Sequence, residues 1–115
     1  KSKACERVLA SWNTSEPQKD VDQYIVWINK ETKLIERVEY TIREMYNFLT
    51  GSVSYEDYQN YEGILLPSYI PVESNLVKKG LLHEMRFTNF KANVIPAEAL
   101  LPNKELKAFD GGKPD

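Results

Sequence analysis

The chain alternates short apolar runs with clusters of turn-forming residues, and its dominant period is two rather than 3.6. Its first run, Val8-Leu9-Ala10-Ser11-Trp12, is closed by the polar stretch Asn13-Thr14-Ser15-Glu16-Pro17-Gln18-Lys19-Asp20, which reads as a strand followed by a loop. Gln23-Tyr24-Ile25-Val26-Trp27-Ile28 is rich in the β-branched and aromatic side chains that fit a pleated surface. The polar Asn29-Lys30-Glu31-Thr32-Lys33 behind it is short enough for an antiparallel hairpin. From Leu34 to Phe48 two periods compete. Val38, Ile42, Met45 and Leu49 fit a helix over 38–49, whereas Leu34, Val38, Tyr40, Ile42, Tyr46 and Phe48 fit a long, bulged strand that carries Glu36 and Glu44 on its apolar face.

Ser52 to Tyr58 reads as a further strand, Asn60-Tyr61-Glu62-Gly63 as a turn, and Ile64-Leu65-Leu66 as the start of a strand carrying Pro67 and Pro71. Each proline removes a donor N–H, so that strand is predicted to bend or to lie at an edge. A last strand runs from Leu81 to Phe90, with Leu81, His83, Met85 and Phe87 on a core face and Leu82, Glu84, Arg86 and Thr88 on a mostly wet one. Pro96 followed by Ala97-Glu98-Ala99 predicts a single helical turn. The fold expected is mainly β: a curved antiparallel sheet, an incomplete barrel of five or six strands with little helix. It forms one domain over 1–109, and the Gly- and Pro-bearing tail 110–115 is expected to be disordered.

Fifteen basic against seventeen acidic residues leave a net charge of −2. This provides no basic footprint for phosphate neutralisation, so nucleic acid is not an expected partner. No apolar run approaches the roughly 18 to 20 residues of a membrane-spanning helix, and no span is expected. The start at Lys1, without an apolar signal-peptide core, suggests a processed chain or a piece of a longer one.

Candidate chemistry is sparse. His83 is the only histidine, and any Ser/His/Asp or Cys/His mechanism must use it, yet no G-x-S-x-G elbow accompanies it. Its place on the apolar face of the last strand predicts a packed or hydrogen-bonded ring instead. Cys5, the only cysteine, excludes an internal disulfide and a cysteine-based zinc cluster. Glu56, Asp57 and Glu62 flank a turn, where carboxylates normally point to water, and they lack the spacing of a calcium loop. No catalytic residue, metal or cofactor is expected, and the chain is read as a binding protein rather than an enzyme.

The informative excess is apolar and aromatic. In the strand over 23–28, Tyr24, Val26 and Ile28 take one face and Ile25 and Trp27 the other, and a one-sided sheet needs no such double face. Either protein covers the second face, or the sheet curls around an apolar ligand. The residues expected to line such a site are Tyr24, Trp27, Tyr40, Ile42, Met85 and Phe87. Two functions from different classes follow: a module that binds an apolar ligand, and an assembly domain that pairs its strand edges and apolar face with another protein segment or with a second copy as a homodimer.

The succession Asp22-Gln23-Tyr24-Ile25-Val26-Trp27-Ile28-Asn29, then Thr32-Lys33-Leu34-Ile35, Tyr58 and Gly63-Ile64-Leu65-Leu66-Pro67-Ser68, resembles the periplasmic lipoprotein-carrier-like domains of the outer-membrane lipoprotein carrier superfamily. The likeness covers residues 20 to 72. It implies a strongly curved antiparallel sheet, with helices plugging its concave side, that holds acyl chains in an exported protein of the periplasm or the extracellular space. Such domains are longer, with strands and helices upstream, so the likeness also implies that this chain corresponds to their later part. The matching motifs are structural, and no catalytic residue carries over.

Overall fold

The computed structural model describes residues 2–13, 16 and 18–102. The tail expected to be disordered, 110–115, lies outside the described residues. Seven strands form one antiparallel sheet that does not close: β1 (Cys5–Ser11), β2 (Gln23–Asn29), β3 (Ile35–Thr41), β4 (Thr50–Ser54), β5 (Glu56–Tyr61), β6 (Ile64–Ser74) and β7 (Leu81–Arg86). The expected helical turn is a 3₁₀ turn, Ala97–Leu100, entered from Pro96.

The chain runs as a meander. β1 pairs with β2, β2 with β3 and β3 with β4, while β6 takes β4 and β5 along its length and also pairs with β7. β4 and β5 are successive stretches of a single arm, because Gly51 pairs with Ser74, Val53 with Val72, Glu56 with Tyr69 and Tyr61 with Ile64 in one unbroken register. Glu62 and Gly63 close this long hairpin with φ of 56° and 92°. Two successive positive φ values are what a two-residue turn needs to match the twist of its strands.

Of the two alternatives expected from its prolines, a bent strand or an edge strand, the edge does not occur: β6 has neighbours on both sides. Ser74 N–H donates to Gly80 O at 2.7 Å and Phe87 N–H donates to Ser68 O at 2.9 Å, so even-numbered backbone groups of β6 turn toward β7. The missing N–H groups of Pro67 and Pro71 therefore face the other neighbour. Pro71 falls opposite Ser54, past the last paired residues of the β4–β6 ladder, Val53 and Val72. Pro67 pairs with Tyr58, next to Asp57 at φ 51°. The prolines are tolerated inside the sheet because the ladder is irregular where their donors are lacking.

Between Leu34 and Phe48 neither the long strand nor the helix forms. β3 stops at Thr41, and Asp22 explains why: its Oδ1 accepts Thr41 Oγ1–H at 2.9 Å and Arg43 N–H at 2.7 Å, drawing the chain out of the ladder. The loop over 42–49 then closes on Leu49, 1% exposed, whose carbonyl accepts Ile42 N–H at 3.1 Å. β7 is also shorter than expected and exposed throughout. A register shift between Val72 and Glu73 puts Leu81 opposite Glu73 and His83 opposite Val72, so Leu81 leaves the face that His83 and Met85 share. His83 is exposed, not packed inside, because nothing described lies over that end of the sheet.

Among the described residues the buried apolar side chains are Leu49, Ile70 and Val72, and the tertiary contacts between strands are those of ladder neighbours. The sheet is a single layer. Its radius of gyration is 18.8 Å, against about 13 Å for a compact chain of this length.

Candidate functional site

Pairing register decides which side chains share a face, because directly opposed residues point the same way. Val8 opposes Val26, Val26 opposes Val38, Val38 opposes Val53, Val53 opposes Val72, and Val72 opposes His83. Five valines thus form a continuous row across five strands. On one side of this row lie Tyr24 and Tyr40, stacked with ring centroids 6.5 Å apart, and Gly51. On the other lie Ile28, Ile70 and Met85. A Cβ on Gly51 would meet the Tyr40 ring at 2.5 to 2.8 Å, so the bare glycine is what lets that ring lie across β4.

The opposite face is polar at its centre. Arg37 Nε–H donates to Glu39 Oε1 at 3.2 Å, its Nη1 to Glu73 Oε2 at 3.2 Å and its Nη2 to Ser52 Oγ at 2.7 Å. These groups floor a groove of about 560 Å³ whose apolar flank is Leu9 and Ile25. Both carboxylates are spent on Arg37, and the cluster holds β3, β4 and β6 together across their outer surface. Trp27 sits beside it, opposed to Arg37 on one side and to Arg7 on the other, with the Arg7 guanidinium carbon 5.4 Å from the indole centroid. Arginine rather than an apolar layer is what shields this ring.

A second hollow, about 280 Å³, opens on the valine side at the β5–β6 hairpin, with Tyr61, Leu66, Pro67, Ile70, Phe87 and Phe90 as walls. Tyr61 and Phe90 meet edge to face at 5.7 Å.

The six residues expected to line a site are therefore distributed. Tyr24 and Tyr40 touch, Met85 shares their face at the far edge of the sheet, and Phe87 reaches the small hollow. Trp27 lies on the other face, and Ile42 lies in the loop after β3. The valine row and the Arg37 cluster were missed. Each strand contributes a single valine to the row, and only the register between strands assembles them.

Lys3, Glu36, Tyr58 and Cys5 take part in the sheet's own hydrogen bonds. Burial pushes the Glu36 carboxyl up, but hydrogen bonds from Lys3 and Asn29, together with the Lys3 charge, outweigh it and hold the group below its ordinary value. Lys3 Nζ lies 2.5 Å from Glu36 Oε2, and Asn29 Nδ2 donates to Glu36 Oε1 at 2.8 Å. Tyr58 is pushed up by burial and by the nearby Glu36 charge, and its hydroxyl donates to Ile35 O at 2.6 Å. The Cys5 thiol donates to Lys3 O at 3.8 Å. Among the described residues no group of three His, Cys, Asp or Glu side chains is placed to hold a metal ion, and no helix is long and apolar enough to cross a membrane.

No protein-family model matches the chain, and no curated protein or solved structure matches it either.

Proposed function

We propose that this chain is a non-catalytic assembly module whose working surface is the valine face, which forms half of a core completed by a second polypeptide layer. The observation that supports it is the continuous row Val8, Val26, Val38, Val53 and Val72, exposed at Val8, half-buried at Val26, Val38 and Val53 and buried at Val72, flanked by Tyr24, Tyr40, Ile28, Ile70 and Met85. A sheet that is apolar on one face must bury that face against another element. An extended row of aliphatic side chains offers a small ligand only one wall, whereas ligand sites bury about 70 to 90% of their ligand's surface. A second layer of protein matches the row in extent.

The second reading is the exported carrier of a lipid or acyl chain that the family resemblance implies. The 280 Å³ apolar hollow at the β5–β6 hairpin favours it, since dry apolar cavities of about 150 Å³ already take small apolar molecules. Mass spectrometry of the purified protein under native and denaturing conditions separates the two. A polypeptide cover adds the mass of a chain. A lipid adds a few hundred daltons that denaturation strips off, and that result would replace the assembly reading with the carrier reading.

A further inference from the structure

We infer that the loops 42–49 and 75–80, which lie side by side at one end of the sheet, form a docking surface for a membrane of anionic lipid; the inference goes beyond the assembly reading and is independent of what completes the valine face.

The two loops are braced against each other. Asn75 Nδ2 donates to Phe48 O at 2.6 Å, and its Oδ1 accepts Thr50 N–H at 3.0 Å. Inside the first loop, Met45 N–H and Tyr46 N–H both donate to Ile42 O at 3.2 Å, and Leu49 N–H donates to Tyr46 O at 3.0 Å. In the second, Ser74 Oγ accepts Leu76 N–H at 3.2 Å. Leu49 is buried and anchors the first loop, whereas Met45, Tyr46 and Phe48, together with Leu76 of the second, are each more than half exposed. The Tyr46 and Phe48 rings stack 5.4 Å apart. A loop held this firmly, with its largest apolar groups turned into water, is organised in advance for a contact.

Charge and shape select the occupant. The two loops carry Arg43, Lys78 and Lys79 against Glu44, three basic residues and one acidic, a net charge of +2 in a chain whose total is −2. Lys78 and Lys79 are exposed beside the apolar tips. Lysine is depleted at protein interfaces, whereas beside an anionic bilayer it reaches the headgroup phosphates while a neighbouring tyrosine ring sits at headgroup level. The tips project from the sheet end as loops, and a fluid surface accommodates such a projection without a matching hollow. Glu16, Lys19, Asp20 and Asp22 belong to the β1–β2 loop, which the strand order places on the far side of loop 42–49 from the lysines, and Asp22 is bonded there to Thr41 and Arg43. The charge asymmetry therefore turns the 75–80 side toward the lipid.

Sedimentation with vesicles of phosphatidylcholine containing about one-third phosphatidylserine provides the test. The wild type should sediment with them, and far less with pure phosphatidylcholine or at high salt. Lys78→Glu combined with Lys79→Glu should weaken binding at least about tenfold, and Tyr46→Ser combined with Phe48→Ser should weaken it by at least about the same factor. All four side chains are exposed, so the circular dichroism of both double variants should match that of the wild type. Phe48→Trp supplies a gain of signal: its emission should shift to the blue when the vesicles are added, beyond any change in the wild type. A wild type that ignores phosphatidylserine vesicles overturns the inference, as does binding retained in either double variant or binding of equal strength to pure phosphatidylcholine. A wild type that ignores vesicles but holds a polypeptide that Tyr46→Ser with Phe48→Ser releases gives the loops to a protein partner and likewise overturns it.

Discussion

Asn29 closes the β2–β3 hairpin from inside. Its Oδ1 accepts Glu31 N–H at 2.8 Å and Thr32 N–H at 3.1 Å, while its Nδ2 grips Glu36 across the hairpin. Asparagine is favoured at such a turn because its side chain imitates a backbone acceptor. The contact also ties turn stability to one proton. Glu36 is held below its ordinary value of 4.5, so its contribution is complete above that value and is lost as pH falls through the lower folded value. Urea midpoints measured from pH 6 down to pH 3 should fall, and Glu36→Gln should flatten that limb; an unchanged slope in the variant would remove Glu36 from the account. The second residue-scale prediction concerns Gly51. Gly51→Ala forces the Tyr40 ring to move and should cost about 1 to 3 kcal/mol. In a Tyr40→Ala background the same change should cost much less, and a double-mutant cycle measures the difference. Equal costs in both backgrounds would contradict the close approach at 2.5 Å.

Elements were legible where one strand carried its own signal. β2 is a run of apolar and β-branched residues, the Glu62-Gly63 turn is marked by its glycine, and Pro96 marks the 3₁₀ turn. Where the outcome depended on a partner, the sequence was silent or misleading. Alternation continued past Thr41 through Ile42, Tyr46 and Phe48, but the bonds from Asp22 end the strand there. Prolines argued for a bend or an edge, and the edge is avoided because β6 pairs there with an already broken arm. His83 alternated like a core residue, yet β7 is exposed throughout and no described residue covers it. Candidate site residues followed the same rule: aromatic side chains could be singled out one at a time, whereas the valine row exists only once five strands are in register. In native-state hydrogen exchange, the amides of β1, β5 and β7, each paired along one side only, should therefore exchange first, and those of β3 and β4 last. Equal protection across the sheet would mean that these edges are covered.

For the whole molecule, a single open layer with three buried apolar side chains among the described residues has too little core to account for a stable domain by itself. If the missing stabilisation comes from a second polypeptide layer on the valine face, it belongs to a bimolecular equilibrium, and folding depends on concentration. Each tenfold dilution removes about 1.4 kcal/mol per mole of complex from the apparent stability. Divided by an unfolding entropy of about 2.1 cal/mol/K per residue over two chains, this lowers the melting temperature by about 3 °C. Over a hundredfold dilution the wild type should lose about 6 °C, and Leu9→Lys, on the polar face, should follow it in parallel. Val8→Lys, on the valine face, should melt at a lower temperature at every concentration. A wild-type melting temperature that stays constant over that range would show that the chain's stability does not come from association with a second layer, and it would leave the valine face to be covered by a ligand.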